Sequence, residues 1–291
     1  MIKGRLASLA LVASLISPTA LAADNGGDGG EMAQEIASVG PLYVLAGVRV
    51  WANQWDILYL SREVFLANPA DPSSAMLRES VRTATSSTRT VPIPFLGLRY
   101  GKFIGSVSYF PETGFDTDGA LSEDVDREEL DVNFGYYLTS NVVVSLGYRE
   151  GRQSKATDFA EDSALKARGI LVGTSFTAPV TGPLSVYGNV AYGWVKLKVD
   201  STLLLPDGSD ELNGNYKVGE IGLSYNLSHL VGGSVLKGAA LTLGYRIWVI
   251  TEKNVPLGTY ETSNPTLPVS FSEVDARTTT DGFIIGAVAV F

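Results

Sequence analysis

From Pro41 onward, apolar and polar side chains alternate along the chain in short segments separated by polar or glycine-rich stretches. Such alternation places successive side chains on opposite faces of an extended strand, so it predicts half-buried β-strands rather than helices. A tilted strand needs about ten residues to cross a bilayer, which is close to the length of these segments. Ten segments can be recognised, at about 42–55, 90–100, 102–110, 128–138, 141–151, 166–177, 184–199, 216–227, 239–251 and 281–291.

The segment at 141–151 shows the alternation clearly. Val142, Val144 and Leu146 form one apolar face, whereas Ser145 and Arg149 lie on the other face. A sheet with one apolar and one polar face has different surroundings on its two sides. In a barrel that spans a membrane, the apolar face contacts lipid and the polar face lines the lumen.

The connections between the segments alternate between long and short. Because lipid offers no hydrogen-bond partners, strands in a bilayer must pair into a closed ring. Short turns on one side and long loops on the other are typical of outer-membrane barrels. The pattern predicts an all-β fold: a single transmembrane antiparallel up-and-down β-barrel of about 10 strands, with long extracellular loops and short periplasmic turns. The long connections cover about 56–89, 111–127, 152–165, 200–214 and 252–278.

The last segment, 281–291, has an apolar face that contains Phe283, Ile285 and Phe291. Its aromatic residues stand at the two ends of this face, where the interfaces of a membrane would lie. The segment resembles the closing strand of Gram-negative outer-membrane β-barrel proteins, in which a terminal Phe is read by the barrel-assembly machinery. The resemblance implies that these three residues form an assembly signal. It also implies three partners, namely the barrel-assembly machinery, outer-membrane lipid and lipopolysaccharide.

The start of the chain has the pattern of a secretory signal peptide. Basic residues precede a short apolar run, and a small-x-small cleavage site ends at Ala22. The expected location is therefore the outer membrane of a Gram-negative cell, reached by export with cleavage of the signal. We expect a signal peptide at 1–22, a flexible periplasmic N-terminal segment at 23–40 and a barrel domain at 41–291.

Composition removes several classes of function. The formal net charge is −9, from 22 basic and 31 acidic residues, so a basic patch for nucleic acid is absent. The chain contains no cysteine, which excludes a disulfide scaffold and cysteine-based metal or nucleophile chemistry. We expect no nucleic-acid partner, no cofactor and no metal site.

Charged residues recur on the polar faces of the segments. A charge on the lipid face near the midplane costs about 2–4 kcal/mol, so these residues are expected in the lumen. Two interpretations remain open: paired networks fill a narrow interior, or an excess of arginine lines a small pore for anions or small solutes. The predicted lumen residues are Arg49, Arg99, Asp131, Arg149, Glu220 and Arg246.

Candidate catalytic residues are few. The single histidine, His229, follows the eighth segment in a turn expected on the periplasmic side, far from the acidic connection at 111–127. A Ser-His-Asp or His-Asp arrangement is therefore poorly supported. We predict that the protein is not an enzyme and has no catalytic residues.

The sequence thus predicts an outer-membrane barrel that acts as a narrow, porin-like channel or as a surface-interaction scaffold. One alternative is an outer-membrane hydrolase of the protease or lipase type that uses loop carboxylates such as Asp116 and Asp118. A second alternative is a soluble secreted β-protein. Two local expectations accompany these predictions: a short helix within 71–83, and interfacial positions for Trp51, Trp55 and Trp248.

Overall fold

The structure is a computed structural model, and it describes residues 9–13, 16–21, 42–117, 124–157, 163–199, 205, 208–231 and 235–291. The segment predicted at 23–40 lies outside these ranges. Two short strands, β1 (Leu9–Ala13) and β2 (Ile16–Leu21), pair with each other inside the predicted signal peptide. Within the described ranges, no helix has the length and apolar character that a membrane-crossing helix requires.

The other described strands form one antiparallel sheet. From β5 (Arg89–Tyr100) to β13 (Asn264–Val290), each strand pairs with the next along the chain. β3 (Leu42–Leu66) pairs with β5, and β13 returns to pair with β3. Ten strands, β3 and β5 to β13, thereby close a ring, and β4 pairs with the outer part of β3. The predicted all-β up-and-down barrel is confirmed. The bounds are β3 (Leu42–Leu66), β4 (Ala75–Thr85), β5 (Arg89–Tyr100), β6 (Phe103–Phe115), β7 (Val125–Thr139), β8 (Val142–Ser154), β9 (Ala164–Thr181), β10 (Leu184–Val199), β11 (Glu211–Asn226), β12 (Gly238–Glu261) and β13 (Asn264–Val290).

Side chains alternate between the lumen and the outside along each strand of the ring. In β8, Val144 and Leu146 are exposed on the outer face, whereas Val143 and Arg149 are buried inside. A continuous apolar belt is unfavourable in water and is what a bilayer covers, so it argues against the soluble alternative. The belt includes Leu96, Leu98, Val132, Phe134, Ile170, Val172, Val190, Ile221, Leu241, Leu243 and Ile285.

The turns at one end of the ring are tight. Two residues join β5 to β6, two join β7 to β8, and two join β9 to β10. In the first of these turns Gly101 has a φ of 55°. Glycine takes this conformation without a Cβ clash, and it suits the first central position of a two-residue hairpin. This end corresponds to the predicted periplasmic side.

The connection at 56–89, which was expected to be a loop, is a β-hairpin, and the short helix expected within 71–83 is a single 3₁₀ turn capped by Asp71. β3 continues to Leu66 and pairs with β4 along this length, so a β-hairpin stands on the outer end of the barrel. The helical part is a 3₁₀ turn at Pro72–Ser74. The alternation of β3 simply continues past the membrane, with Ile57 and Tyr59 buried on the lumen side.

A second long hairpin, formed by β12 and β13, folds over the same end. The β12–β13 ladder shifts register after Glu252, and Asn254 has a φ of 56°. A β-bulge of this kind bends a strand. Beyond it, β12 pairs with β4, although β3 and β13 separate these two strands in the ring. We call the apolar cluster under this junction the roof; it contains Leu58, Leu60, Val81, Val255, Leu257 and Ala276.

Glu79 of β4 holds the two hairpins together. Its carboxylate accepts hydrogen bonds from the Gly258 backbone N–H at 2.9 Å and from the Tyr260 hydroxyl at 3.0 Å. Arg62 of β3 forms an ion pair with it at 3.0 Å. The Arg62 guanidinium also lies 4.9 Å from the centre of the Tyr260 ring. These contacts give a buried carboxylate a full set of partners and fix the roof over the lumen.

Candidate functional site

The interior of the barrel contains a layer of buried ion pairs. Glu220 of β11 pairs with Arg49 at 2.5 Å and with Arg246 at 2.6 Å, and the Tyr187 hydroxyl donates to it at 3.0 Å. All four side chains are buried. Two guanidinium groups and a phenol thus satisfy both carboxylate oxygens, as a charge removed from water requires.

Two further pairs lie nearer the extracellular side. Arg149 donates to both carboxylate oxygens of Asp131, with Nη2 2.7 Å from Oδ2. Arg127 donates from Nε to Glu129 and from Nη1 to the Thr280 hydroxyl at 2.7 Å. We call the seven charged side chains of this layer the ion-pair floor: Arg49, Arg127, Glu129, Asp131, Arg149, Glu220 and Arg246.

Aromatic rings pack between the guanidinium groups of the floor. The centre of the Trp248 ring lies 4.2 Å from the guanidinium carbon of Arg127 and 4.4 Å from that of Arg149. The Tyr216 ring stacks on Trp248 with centroids 5.6 Å apart. Cation–π contacts contribute up to about 2 kcal/mol when they are removed from water. The rings therefore stabilise the cations where solvent does not.

The ion-pair floor fills the cross-section of the lumen at the height where it lies. Its four cations and three anions nearly cancel, and the cavity between Arg49, Trp51, Phe95 and Trp248 has a volume of about 20 Å³. Such a space holds about one water molecule. In the described part of the chain, the lumen is filled at this level.

The structure brings together five of the six residues predicted for the lumen, as the pairs described above. Arg99 lies apart from them, near the tight turns. Its Nε donates to the Gly101 carbonyl at 3.2 Å, and its guanidinium lies 4.5 Å from the centre of the Tyr137 ring. Of the two interpretations left open by the sequence, paired networks describe this arrangement better than an open arginine-lined pore.

The predicted assembly residues face outward. Phe283 and Ile285 are exposed on the outer face of β13, and Phe291 is exposed at the end of the barrel that carries the tight turns. The backbone of Phe291 exchanges two hydrogen bonds with Val44 of β3, at 3.1 and 2.9 Å. Their role as an assembly signal stays a prediction.

Sequence reasoning missed two members of the floor and misplaced three tryptophans. Arg127 and Glu129 were not assigned to the lumen, although they stand four and two positions before Asp131 and so share its face of β7. Trp51, Trp55 and Trp248 were expected at the membrane interface. All three are buried in the lumen.

A second cavity, of about 50 Å³, lies between the floor and the roof. We call it the chamber. Glu252 lines it and is 1% exposed, and neither of its carboxylate oxygens has a hydrogen-bond partner among the described residues. Its apolar lining comprises Leu58, Leu165, Ala167, Leu197 and Ile250.

Glu252 stands beyond the membrane-spanning part of β12. The outward apolar positions of this strand end near Val249, and the outward Lys253 that follows is exposed. Burial raises the pKa of Glu252 to about 7, because the charged form loses its hydration. The chamber thus contains a buried carboxyl group that changes charge near neutral pH.

The other candidate catalytic and metal-binding residues do not form a common site among the described residues. Asp116 is exposed, and Asp118 lies outside the described residues. The His229 ring contacts Tyr225, with centroids 6.3 Å apart. Among the residues that the structure describes, no group of three acidic or histidine side chains could hold a metal ion.

A closed antiparallel ring with an apolar outer face and a polar lumen defines a Gram-negative outer-membrane β-barrel protein, located in the outer membrane. No protein-family model and no curated protein matches the chain. Similar solved structures include the outer membrane protease OmpT from Escherichia coli, at 12% identity over 86% of this chain and 96% of that chain, with a TM-score of 0.48. A FadL homologue from Pseudomonas aeruginosa has 10% identity over 99% and 95%, with a TM-score of 0.32. The toluene transporter TodX from Pseudomonas putida has 11% identity over 89% and 91%, with a TM-score of 0.29.

The prediction that the protein is not an enzyme is contradicted by the first of these structures, which is a protease. The prediction rested on the isolated position of His229. That position does not exclude catalysis by other side chains, because carboxyl groups also serve as general acids and bases. The similar structures include a protease and a transporter.

Proposed function

We propose that this protein is a surface-interaction scaffold, in which a barrel with a filled lumen anchors a rigid extracellular sheet in the outer membrane. The observation that carries the proposal is the ion-pair floor. Its guanidinium and carboxylate groups form ion pairs with one another and leave a cavity of about 20 Å³. An ion that crossed this layer would have to separate buried ion pairs, which is unfavourable because it leaves buried charges uncompensated.

The extracellular hairpins support an interaction function. Large apolar side chains are exposed at their outer ends, well beyond the membrane-spanning part of the strands. Exposed apolar surface outside a membrane is typical of sites that dock onto a partner. These side chains are Val64 and Leu66 of β3 and Leu267, Val269 and Phe271 of β13.

The test is the single-channel conductance of the refolded protein in a planar bilayer. We expect a silent bilayer from protein shown to be folded and inserted, with a general porin in the same bilayer as the control for sensitivity. Steady anion-selective openings that diminish in Arg49→Ala or Arg246→Ala would overturn the proposal and establish a narrow channel.

A membrane-embedded hydrolase is the second candidate. It is favoured by two carboxylates at the outer ends of β6 and β7, because Asp124 and Asp126 both approach Gly114. Paired carboxyl groups can divide the roles of acid and base. Hydrolysis of a peptide or lipid substrate that disappears in Asp126→Asn, and persists in the exposed control Glu261→Gln, would establish this function.

A further inference from the structure

The chamber is an internal space with mixed walls. Arg127 and Glu129 of the floor bound it on one side, together with the Trp248 ring that packs against the floor, and Leu58 of the roof bounds it on the other. Its volume is about 50 Å³. One water molecule requires roughly 10–15 Å³ of such space, so the chamber has room for a few non-hydrogen atoms.

Four of the residues that line the chamber carry buried polar atoms without hydrogen-bond partners. Both oxygens of Glu252 are buried without a hydrogen bond among the described residues, and so are Arg127 Nη2, the Tyr216 hydroxyl and Trp248 Nε1. All four residues line the chamber. Buried polar groups are normally paired, and four unpaired ones around a single cavity require an explanation.

The unpartnered atoms include both a hydrogen-bond acceptor and hydrogen-bond donors. Glu252 supplies the acceptor, while Arg127, Tyr216 and Trp248 supply donors. The remaining walls are largely apolar, as described above. A ligand that satisfies this lining carries a cationic donor for the carboxylate, an acceptor for the donors and a short apolar body between them.

We propose that the chamber is a binding site for a small primary ammonium compound with one acceptor oxygen, of the size of an amino alcohol. The ammonium group pairs with Glu252, and the oxygen accepts from the donors on the floor. An inorganic cation fits poorly, because hard cations require several oxygen ligands and the chamber offers one unpaired carboxylate, that of Glu252. This inference is independent of whether the lumen conducts ions.

The charged and titratable groups around Glu252 are few. Arg127 and Glu129 face the chamber from β7 and pair with each other, and Tyr216 faces it from β11. The lining residues of β3 and β13 are uncharged, and on β8 the side chain of Gln153 donates to the Leu58 carbonyl while Arg152 is exposed. Ammonium binding should therefore compete mainly with protonation of Glu252. The pKa of Glu252, raised to about 7 by burial, predicts weaker binding below neutral pH.

The experiment is a titration of the folded protein in detergent with ethanolamine, followed by calorimetry and by tryptophan fluorescence. Ethanolamine is added in one series during refolding and in another afterwards, because Glu252 is almost inaccessible from solvent. Two probes of similar size separate the contacts: propylamine lacks the oxygen, and ethylene glycol lacks the ammonium group. We expect saturable binding of ethanolamine, weaker binding of propylamine and none of ethylene glycol.

Three variants make the result specific. Glu252→Gln should weaken ethanolamine binding at pH 8 at least tenfold, whereas Glu261→Gln, an exposed position on the same strand, should leave it unchanged. Tyr216→Phe should weaken ethanolamine binding without changing that of propylamine, which provides a second test if Glu252→Gln folds poorly. Equal affinities of the wild type and Glu252→Gln, or a chamber that takes up water only, would overturn the proposal.

Discussion

The floor and the chamber each contain a deeply buried carboxylate, but the two carboxylates differ in their hydrogen-bond partners. In the floor, Glu220 is buried between two arginines and a tyrosine that satisfy both of its oxygens. In the chamber, Glu252 is as deeply buried and has no hydrogen-bond partner among the described residues. A paired carboxylate fills space and supports the fold, whereas an unpaired one costs stability. The difference assigns a structural role to the first region and a ligand-binding role to the second.

The largest expected effect comes from breaking the floor. Glu220→Gln removes the charge that Arg49 and Arg246 share, and should lower the free energy of unfolding by about 3–5 kcal/mol. Urea-induced unfolding in lipid vesicles measures it. The control is Glu211→Gln, which removes an exposed ion pair with Lys196 and should change little. Equal effects of the two substitutions would mean that the floor does not stabilise the barrel.

A smaller effect on stability is expected from the titration of Glu252 in the chamber. Glu252 holds its proton more tightly in the folded protein, with a pKa of about 7 against an ordinary value of 4.5. The folded state thus binds more protons between these values, so the contribution of Glu252 to stability is lost as pH rises from 4.5 to 7. The loss is at most about 3 kcal/mol.

The measurement is the difference in unfolding free energy between the wild type and Glu252→Gln across this pH range. The amide does not titrate, so the variant should gain stability relative to the wild type as pH rises. A difference that is independent of pH would show that Glu252 is hydrated or paired in the folded protein.

The smallest effect concerns the roof. Tyr260→Phe removes one of the hydrogen bonds to Glu79 and leaves the others, so it should cost about 1.5 kcal/mol. The matched control is Tyr192→Phe, whose hydroxyl donates to Asn215 on an exposed surface. Unfolding in urea compares the two variants. An equal loss in both would mean that Glu79 does not depend on Tyr260 for its stabilisation.

Alternation along the strands was enough to predict the ring and the side of most residues. It placed Arg49, Arg149 and Arg246 on the lumen face because the side-chain period of a strand is two. The place of a residue in the alternation assigns its side chain to one face of the sheet, but it does not identify the residues that the side chain contacts. Glu220 lies opposite Arg246 in the β11–β12 ladder. Arg49 stands on β3, which β12 and β13 separate from β11 in the ring, and spacing along the chain does not encode its contact with Glu220.

The misplaced tryptophans show the same limit. Aromatic residues belong both to the interfacial belt and to the packed lumen, and Trp51 and Trp248 were assigned to the belt by their height alone. Trp51 stands two positions after Arg49, and Trp248 stands two positions after Arg246. Each tryptophan therefore shares a strand face with a lumen arginine, and this shared face predicts its position in the lumen correctly. The roof was unpredictable for another reason: the bulge after Glu252 shifts the register and ends strict alternation in β12.

The seam between β3 and β13 is the strand pair that closes the barrel, so it forms last. There Trp51 Nε1 donates to the Gly282 carbonyl, from a residue 231 positions earlier in the chain. The other strand pairs of the ring join segments that lie closer together in sequence, whereas this pair requires the last strand of the chain. Until then the sheet has two open edges that can recruit another chain. Pairing of β13 with β3 covers both of these edges at once.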